Sequence, residues 1–428
     1  MVKGCILWIQ EGKVNKARIV FFGLLIGLTA MLGASLASAD GDEEFKLPPG
    51  TKLPPQPREW LAPPVDLTPP PAAPRWGGEW KRGRSLPLPL AAHGSAYQEP
   101  YLYLIGGVTG RDGLGQRDVW MTKVGKEGDL GKWEKTKPLP VPLAFAGIVQ
   151  TDGRVYVLGG ASRDGLQNIY DTVYSAPLKK NGGLGAWREE RRLPVKIMYP
   201  AAAASNGFIY ILGGFDGQEY RQTLYYSKLT PGGGLGEWTA AKVFYPHRIG
   251  RTFMAVSGGD LIVVGGMWSD SQGEHVSSLM MRGQRTPEGD VTAWVDDDHI
   301  KVAARPLRFS LADEAGAQDE NFIYVFGGRG ADAPGLPSTQ SCWIDPIKGK
   351  LTRWQFGPEL PLFGVKGAPQ TARVYQSRAV IARDHVFLLG GFLYIRESTP
   401  EVWVMPLKKY EEPAWLKDKR GDGKKKQS

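Results

Sequence analysis

The chain has 428 residues, 42% of them hydrophobic and 23% charged, with 56 glycines and 33 prolines. Its formal net charge is +9. Four basic residues against one acidic in the leader 1–39, and eight against four from Lys408 onward, leave only +2 for residues 40–407. That balance excludes a body that binds nucleic acid through a basic surface, and two cysteines, Cys5 and Cys342, exclude a disulfide framework.

Residues 1–39 read as a targeting segment. Lys3, Lys13, Lys16 and Arg18 precede an uncharged run over 19–39, and Ala37-Ser38-Ala39 fits a small-residue cleavage site ahead of the acidic Asp40-Gly-Asp-Glu-Glu44. The run is also long enough to serve as an uncleaved membrane anchor, although Gly23, Gly27, Gly33, Ser35 and Ser38 dilute it. Either outcome places the protein outside the cytoplasm, as a periplasmic or secreted chain or one tethered by this segment. Cleavage leaves Cys342 as the single thiol, and beside Trp343 in a predicted strand it reads as a small buried residue.

Residues 40–75 are a linker, proline-rich from 45 onward, whose composition cannot build a core and favours extended polyproline conformations. It reads as a semi-rigid spacer.

Residues 76–407 carry the repeat. The run Val155-Tyr156-Val157-Leu158-Gly159-Gly160 recurs at 103–107, 209–214, 261–266, 323–328 and 386–391. Each copy is a short apolar, aromatic-bearing strand that ends in two glycines, which can adopt positive φ or admit another backbone. The first glycines stand at 106, 159, 213, 265, 327 and 390, and a large residue lies three before each: Tyr103, Tyr156, Tyr210, Ile262, Tyr324 and Phe387. Six tryptophans run in phase with them (Trp80, Trp133, Trp187, Trp238, Trp294 and Trp354), several led by a Gly-x-Leu-Gly frame, as in Gly182-Gly-Leu-Gly-Ala-Trp187. Further strand-like runs such as Val119-Trp120-Met121 and Val402-Trp403-Val404 lie between each doublet and the next tryptophan. Each unit therefore has four short strands. Residues 78–86, with Trp80 and Leu86-Pro87, have no preceding strands of their own and are expected to complete the sixth unit; Trp415 is the rival for that place.

A period of roughly 50 residues with a glycine doublet resembles the kelch repeat. The resemblance implies an all-β, six-bladed kelch-type β-propeller with four-stranded blades, the last closed by the N-terminal strand. It also places the first strand of each blade along the central channel. Residues 408–428, ending in Lys424-Lys-Lys-Gln-Ser428, read as a basic, disordered tail capable of weak contact with a membrane or an anionic polymer.

The search for chemistry returns no catalytic set. His93, His247, His275, His299 and His385 show no paired ligand spacing, and no metal or cofactor is expected. Galactose-oxidase-like proteins share the propeller, but their copper ligands cannot be placed here. Asp296-Asp297-Asp298-His299 reads as a charged outer edge that discourages strand addition. Polar residues enter the first strands instead. Seventeen residues before the first glycines stand Lys196, Arg248 and Arg373, and a few residues further on lie His93, Arg251, Asp313, Glu314 and Arg378. Lys196, Arg248, Arg251, Asp313, Glu314, Arg373 and Arg378 are thus the candidate ligand-binding residues, predicted to form a cationic side of the channel mouth with an acidic pair beside it. The same groups suit a structural role, pairing with one another near the axis. The resulting reading is a non-catalytic, monomeric module that binds a protein or glycan. The alternative, from a distant resemblance to exported sialic acid mutarotases, is an enzyme that isomerises an acidic sugar, with Asp313 or Glu314 as acid or base.

Overall fold

A computed structural model describes residues 72–110, 113–162, 168–270, 272–296, 311–330, 335–347, 349–352, 354–361, 374–393 and 397–419. The leader 1–39, most of the linker, Arg373, Asp297 to His299 and the chain beyond 419 lie outside the described residues.

The doublet strands are continuous apolar runs because both of their faces are covered. Tyr103 and Ile105 pack toward Val155 and Val157 of the next unit, while Leu102 and Leu104 pack toward Phe387 and Leu389 of the sixth. Every unit is a four-stranded antiparallel sheet, and six of them make a β-propeller. Blade 1 consists of Gly94–Gln98, Tyr101–Ile105, Val119–Lys123 and Glu134–Lys135. Blade 4 consists of Phe253–Ser257, Asp260–Val264, Met280–Arg285 and Val291–Asp296. Blade 6 takes Arg378–Ala382, His385–Leu389 and Val402–Pro406 from one end of the chain and Lys81–Arg82 from the other, in the register Lys81 opposite Val404 and Arg82 opposite Trp403.

The glycine doublets turn the chain where side chains have no room. Both glycines of each doublet have positive φ, and a Cβ on Gly213 would lie 2.1 Å from the Ile249 carbonyl oxygen. In the first three blades the large residue three positions earlier ties its blade to the next one. Tyr103, Tyr156 and Tyr210 donate their hydroxyls to the carbonyls of Gly182, Gly233 and Gly289 at 2.9–3.0 Å. Blade 4 has Ile262 at this position, and there Ser257 and Arg282 take over, both donating to the Gly349 carbonyl at 2.7 Å. The in-phase tryptophans tie the outer edges: the indole N–H groups of Trp80, Trp133, Trp187 and Trp238 donate to the carbonyls of Pro358, Ser85, Lys137 and Arg191, each just past the outer strand of the preceding blade.

The described chain also continues past 407. Residues Ala414–Lys419, within the stretch expected to be disordered, form a short helix whose Leu416 is fully buried. Trp415 lies on this helix with its ring against Trp343, so it is not in a strand. At the other end, Arg75 pairs with Asp319 at 2.6 Å, and Trp76 packs edge-on against Tyr324. Cys342 is fully buried and donates its thiol to the Thr352 carbonyl.

Candidate site on the propeller axis

Entering each first strand, one residue adopts the left-handed backbone conformation. These are Ala92, Phe145, Tyr199, Arg251, Asp313 and Gln376, with φ between 50 and 58°. Each stands 14 residues before the first glycine of its doublet, and none is a glycine. The conformation is disfavoured by roughly 1–2 kcal/mol per residue, and a repeated hydrogen bond accompanies it. Each N–H donates to the carbonyl of the equivalent residue one blade back: Phe145 to Ala92, Tyr199 to Phe145, Arg251 to Tyr199, Asp313 to Arg251, Gln376 to Asp313 and Ala92 to Gln376, all at 2.8–3.0 Å. The six bonds close a ring around the axis.

The side chains of this ring fill its centre. Arg251 Nη1 reaches both carboxylate oxygens of Asp313 at 2.9 Å, its Nε donates to the Tyr220 hydroxyl at 3.0 Å, and its guanidinium lies 3.7 Å from the centre of the Tyr199 ring. Burial opposes the Arg251 charge, but the adjacent Asp313 carboxylate holds it fully protonated. Gln376 donates to Asp313 from the other side at 3.0 Å. Phe145 packs on Tyr199, its neighbour in the ring, with centroids 4.7 Å apart.

Beneath the ring, side chains satisfy the unpaired edges of the first strands, which would otherwise be left without partners. Gln150 bonds both backbone groups of Tyr97, and Gln318 does the same for Val256. Glu314 accepts the Phe253 N–H at 3.0 Å, and Arg378 donates to the His93 carbonyl at 2.7 Å. Burial raises the Glu314 carboxyl well above the ordinary range, the Asp313 charge adds to this, and Arg378 opposes it. Burial likewise lowers His93 to about 4. A half-open cavity of about 50 Å³ remains, lined by the ring and by Ala146, Pro200, Thr252, Glu314 and Arg378.

The structure therefore brings Arg251, Asp313, Glu314 and Arg378 together on the axis and leaves Lys196 and Arg248 exposed in the loops outside the cavity. Arg248 pairs there with Glu219. Arg373 lies outside the described residues. The acidic pair does not act as a pair: Asp313 is bound to Arg251, while Glu314 turns to a strand edge.

The face that carries the ring also carries the loops between second and third strands, since in an antiparallel blade the first strand starts where the second ends. Two of these loops are hairpins: Val108–Thr109 with Leu114–Gly115 in blade 1, and Met267–Asp270 with Gly273–Val276 in blade 4. Leu114 is 48% exposed, as is Phe244 (56%) in the loop entering blade 4. On the second hairpin, Trp268 is stacked by His247 and His275, and His275 bonds Asp270 at 2.9 Å.

No family model matches the chain. Among curated proteins it is 27% identical over 187 residues to Kelch repeat and BTB domain-containing protein 1 of Ectromelia virus, covering 44% of this chain and 31% of that protein. It is 35% identical over 86 residues to Kelch repeat and BTB domain-containing protein 12 of Danio rerio, covering 20% and 14%. It is 27% identical over 184 residues to human Kelch-like protein 33, covering 42% and 30%. The chain is a kelch-repeat β-propeller. The matched stretch spans less than a third of each of these relatives. In this kelch propeller, reading by charge reached Arg251, Asp313, Glu314 and Arg378. It missed Ala92, Phe145, Tyr199 and Gln376, which share one offset from the doublets and differ in chemistry, and Tyr220, which joins them only through its bond to Arg251.

Proposed function

We propose that this kelch propeller is an exported, non-catalytic binding module that engages a protein partner through the ring-bearing face. The observation that carries this reading is how that face divides its groups. The charges on the axis are bound to one another and to strand edges, while the surrounding loops turn Leu114 and Phe244 outward. Exposed apolar groups around a polar centre suit a protein contact. Export rests on the leader and its Ala37-Ser38-Ala39 site, with membrane anchoring by that segment as the other form it can take. A glycan partner is less favoured, because the rim indole Trp268 already stacks with two imidazoles. The mutarotase alternative needs a pyranose ring beside Asp313 or Glu314, where about 50 Å³ is open and Asp313 is held by Arg251 and Gln376.

Photo-crosslinking in producing cells tests the assignment. A crosslinking amino acid at position 114 or 244 is expected to trap one and the same protein, and one at exposed Ile347, in the hairpin turn on the opposite face, is expected to trap none. Trapping of that protein from position 347 alone, or binding to an acidic polysaccharide in a glycan screen with no protein trapped, overturns the reading.

A further inference from the structure

The bonds described for the axis leave two buried polar atoms in the cavity wall without a partner: Glu314 Oε2 and the Gln376 carbonyl Oε1. Glu314 is 6% exposed, so this is an interior group and not a solvated one. An orphaned buried polar atom costs roughly 1–3 kcal/mol, and these two share one cavity with the Arg378 guanidinium. We infer that the axial cavity is a binding site for a short monocarboxylate, held between Arg378 and Glu314, with a hydroxyl on the ligand donating to Gln376 Oε1.

Size and charge select this class. About 50 Å³ holds about four water-sized groups at roughly 10–15 Å³ each, which matches acetate or glycolate. Among the described residues, the charged groups that face Glu314 are Asp313, Arg251 and Arg378. Arg251 and Asp313 neutralise each other, and His93, packed behind Arg378, stays neutral because burial lowers it to about 4. With Glu314 protonated, the uncompensated charge is that of Arg378, and a monoanion balances it. The carboxyl proton of Glu314 then points to the ligand as a donor, forming a short charge-assisted hydrogen bond. A cation is disfavoured by both arginines. Ionised Glu314 would repel the ligand, so binding and protonation are linked: affinity falls as pH rises through the range where Glu314 ionises, approaching tenfold per pH unit. The inference holds whether or not the ring-bearing face contacts a protein.

The test uses the intact chain and carbon-13-labelled acetate and glycolate, read by ligand NMR and calorimetry between pH 5.5 and 8.5, with chloride at the same ionic strength as the control. Both acids are expected to bind, glycolate at least threefold more tightly, with affinity lower at the alkaline end of the range. Glu314→Gln, which still accepts the Phe253 N–H, is expected to bind acetate with no pH dependence. Arg378→Met is expected to lose binding at least tenfold, with circular dichroism as the check on folding. If Arg378→Met does not fold, the Glu314→Gln profile decides the matter. An absence of acetate binding at 50 mM in the folded chain overturns the inference, as does a pH slope unchanged in Glu314→Gln.

Discussion

Gly213 and Gly153 share nearly the same backbone conformation, with φ of 62 and 67°, yet they sit in opposite surroundings. A Cβ on Gly213 would lie 2.1 Å from the Ile249 carbonyl oxygen, and that oxygen is fixed because it accepts the Gly214 N–H at 2.7 Å. A Cβ on Gly153 would meet nothing within 4 Å. Alanine at either position incurs the left-handed backbone penalty of about 1 kcal/mol. At Gly213 it must also displace a backbone carbonyl, and overpacking of this kind costs roughly 1–3 kcal/mol more. Gly213→Ala is therefore expected to lose about 2–4 kcal/mol and Gly153→Ala about 1 kcal/mol, in matched urea unfolding curves of the same preparation. Their difference isolates the crowding between blades from the backbone conformation. Equal losses would show that the doublets are needed only for their φ, and that blade-to-blade packing at Ile249 yields freely.

Arg251→Met leaves the Asp313 carboxylate buried without its charge partner and is expected to cost about 3–5 kcal/mol. Arg248→Ala, which removes an exposed pair with Glu219, is expected to stay within about 1 kcal/mol in the same unfolding assay. Tyr156→Phe removes the bond to the Gly233 carbonyl and is expected to lose about 0.5–1.5 kcal/mol. His93 and Glu314 impose opposite pH dependences on unfolding. The His93 pKa falls from 6.5 to about 4 on folding, so the unfolded chain binds more protons in that window and stability declines as pH drops from 6.5 toward 4. The raised Glu314 pKa makes the folded chain the stronger proton binder above 4.5, so its contribution is present at acid pH and is lost as pH rises through the folded value. Glu314→Gln is accordingly expected to gain stability over the parent at pH 8 and to converge with it near pH 4.5, and His93→Gln to flatten the acid limb; parallel curves would refute both assignments.

The repeat was legible because its determinants are chemical. A strand covered on both faces has to be apolar, a turn against a neighbouring carbonyl has to be glycine, and an indole is well suited to reach across to the outer edge of the preceding blade. The ring was not legible, because Ala92, Phe145, Tyr199, Arg251, Asp313 and Gln376 share a backbone conformation and no side-chain property. Searching the first strands for charge found Arg251 and Asp313 of the ring and passed over the four uncharged members, Gln376 included. It also drew in Lys196 and Arg248, whose offset from the doublets repeats although they lie three residues before the ring and outside the axis. Glu314 and Arg378 were found as charges, but their work at the edges of neighbouring strands depends on contacts between blades, which no single unit encodes. The helix at Ala414–Lys419 was hidden by the basic composition around it, since its burial depends largely on one residue, Leu416.

The ring on the axis has a direction and no terminus. All six of its amides point the same way around, each residue being donor to one neighbour and acceptor for the other. In an open row of six, an end member could fray by giving up a single bond. Here any blade that moves outward must break two, and it leaves a donor on one side and an acceptor on the other. Local opening at the axis is thereby penalised equally at every junction, and these six amides belong to one cooperative unit, exchanging their hydrogens with solvent together and at a rate set by the opening of the whole propeller.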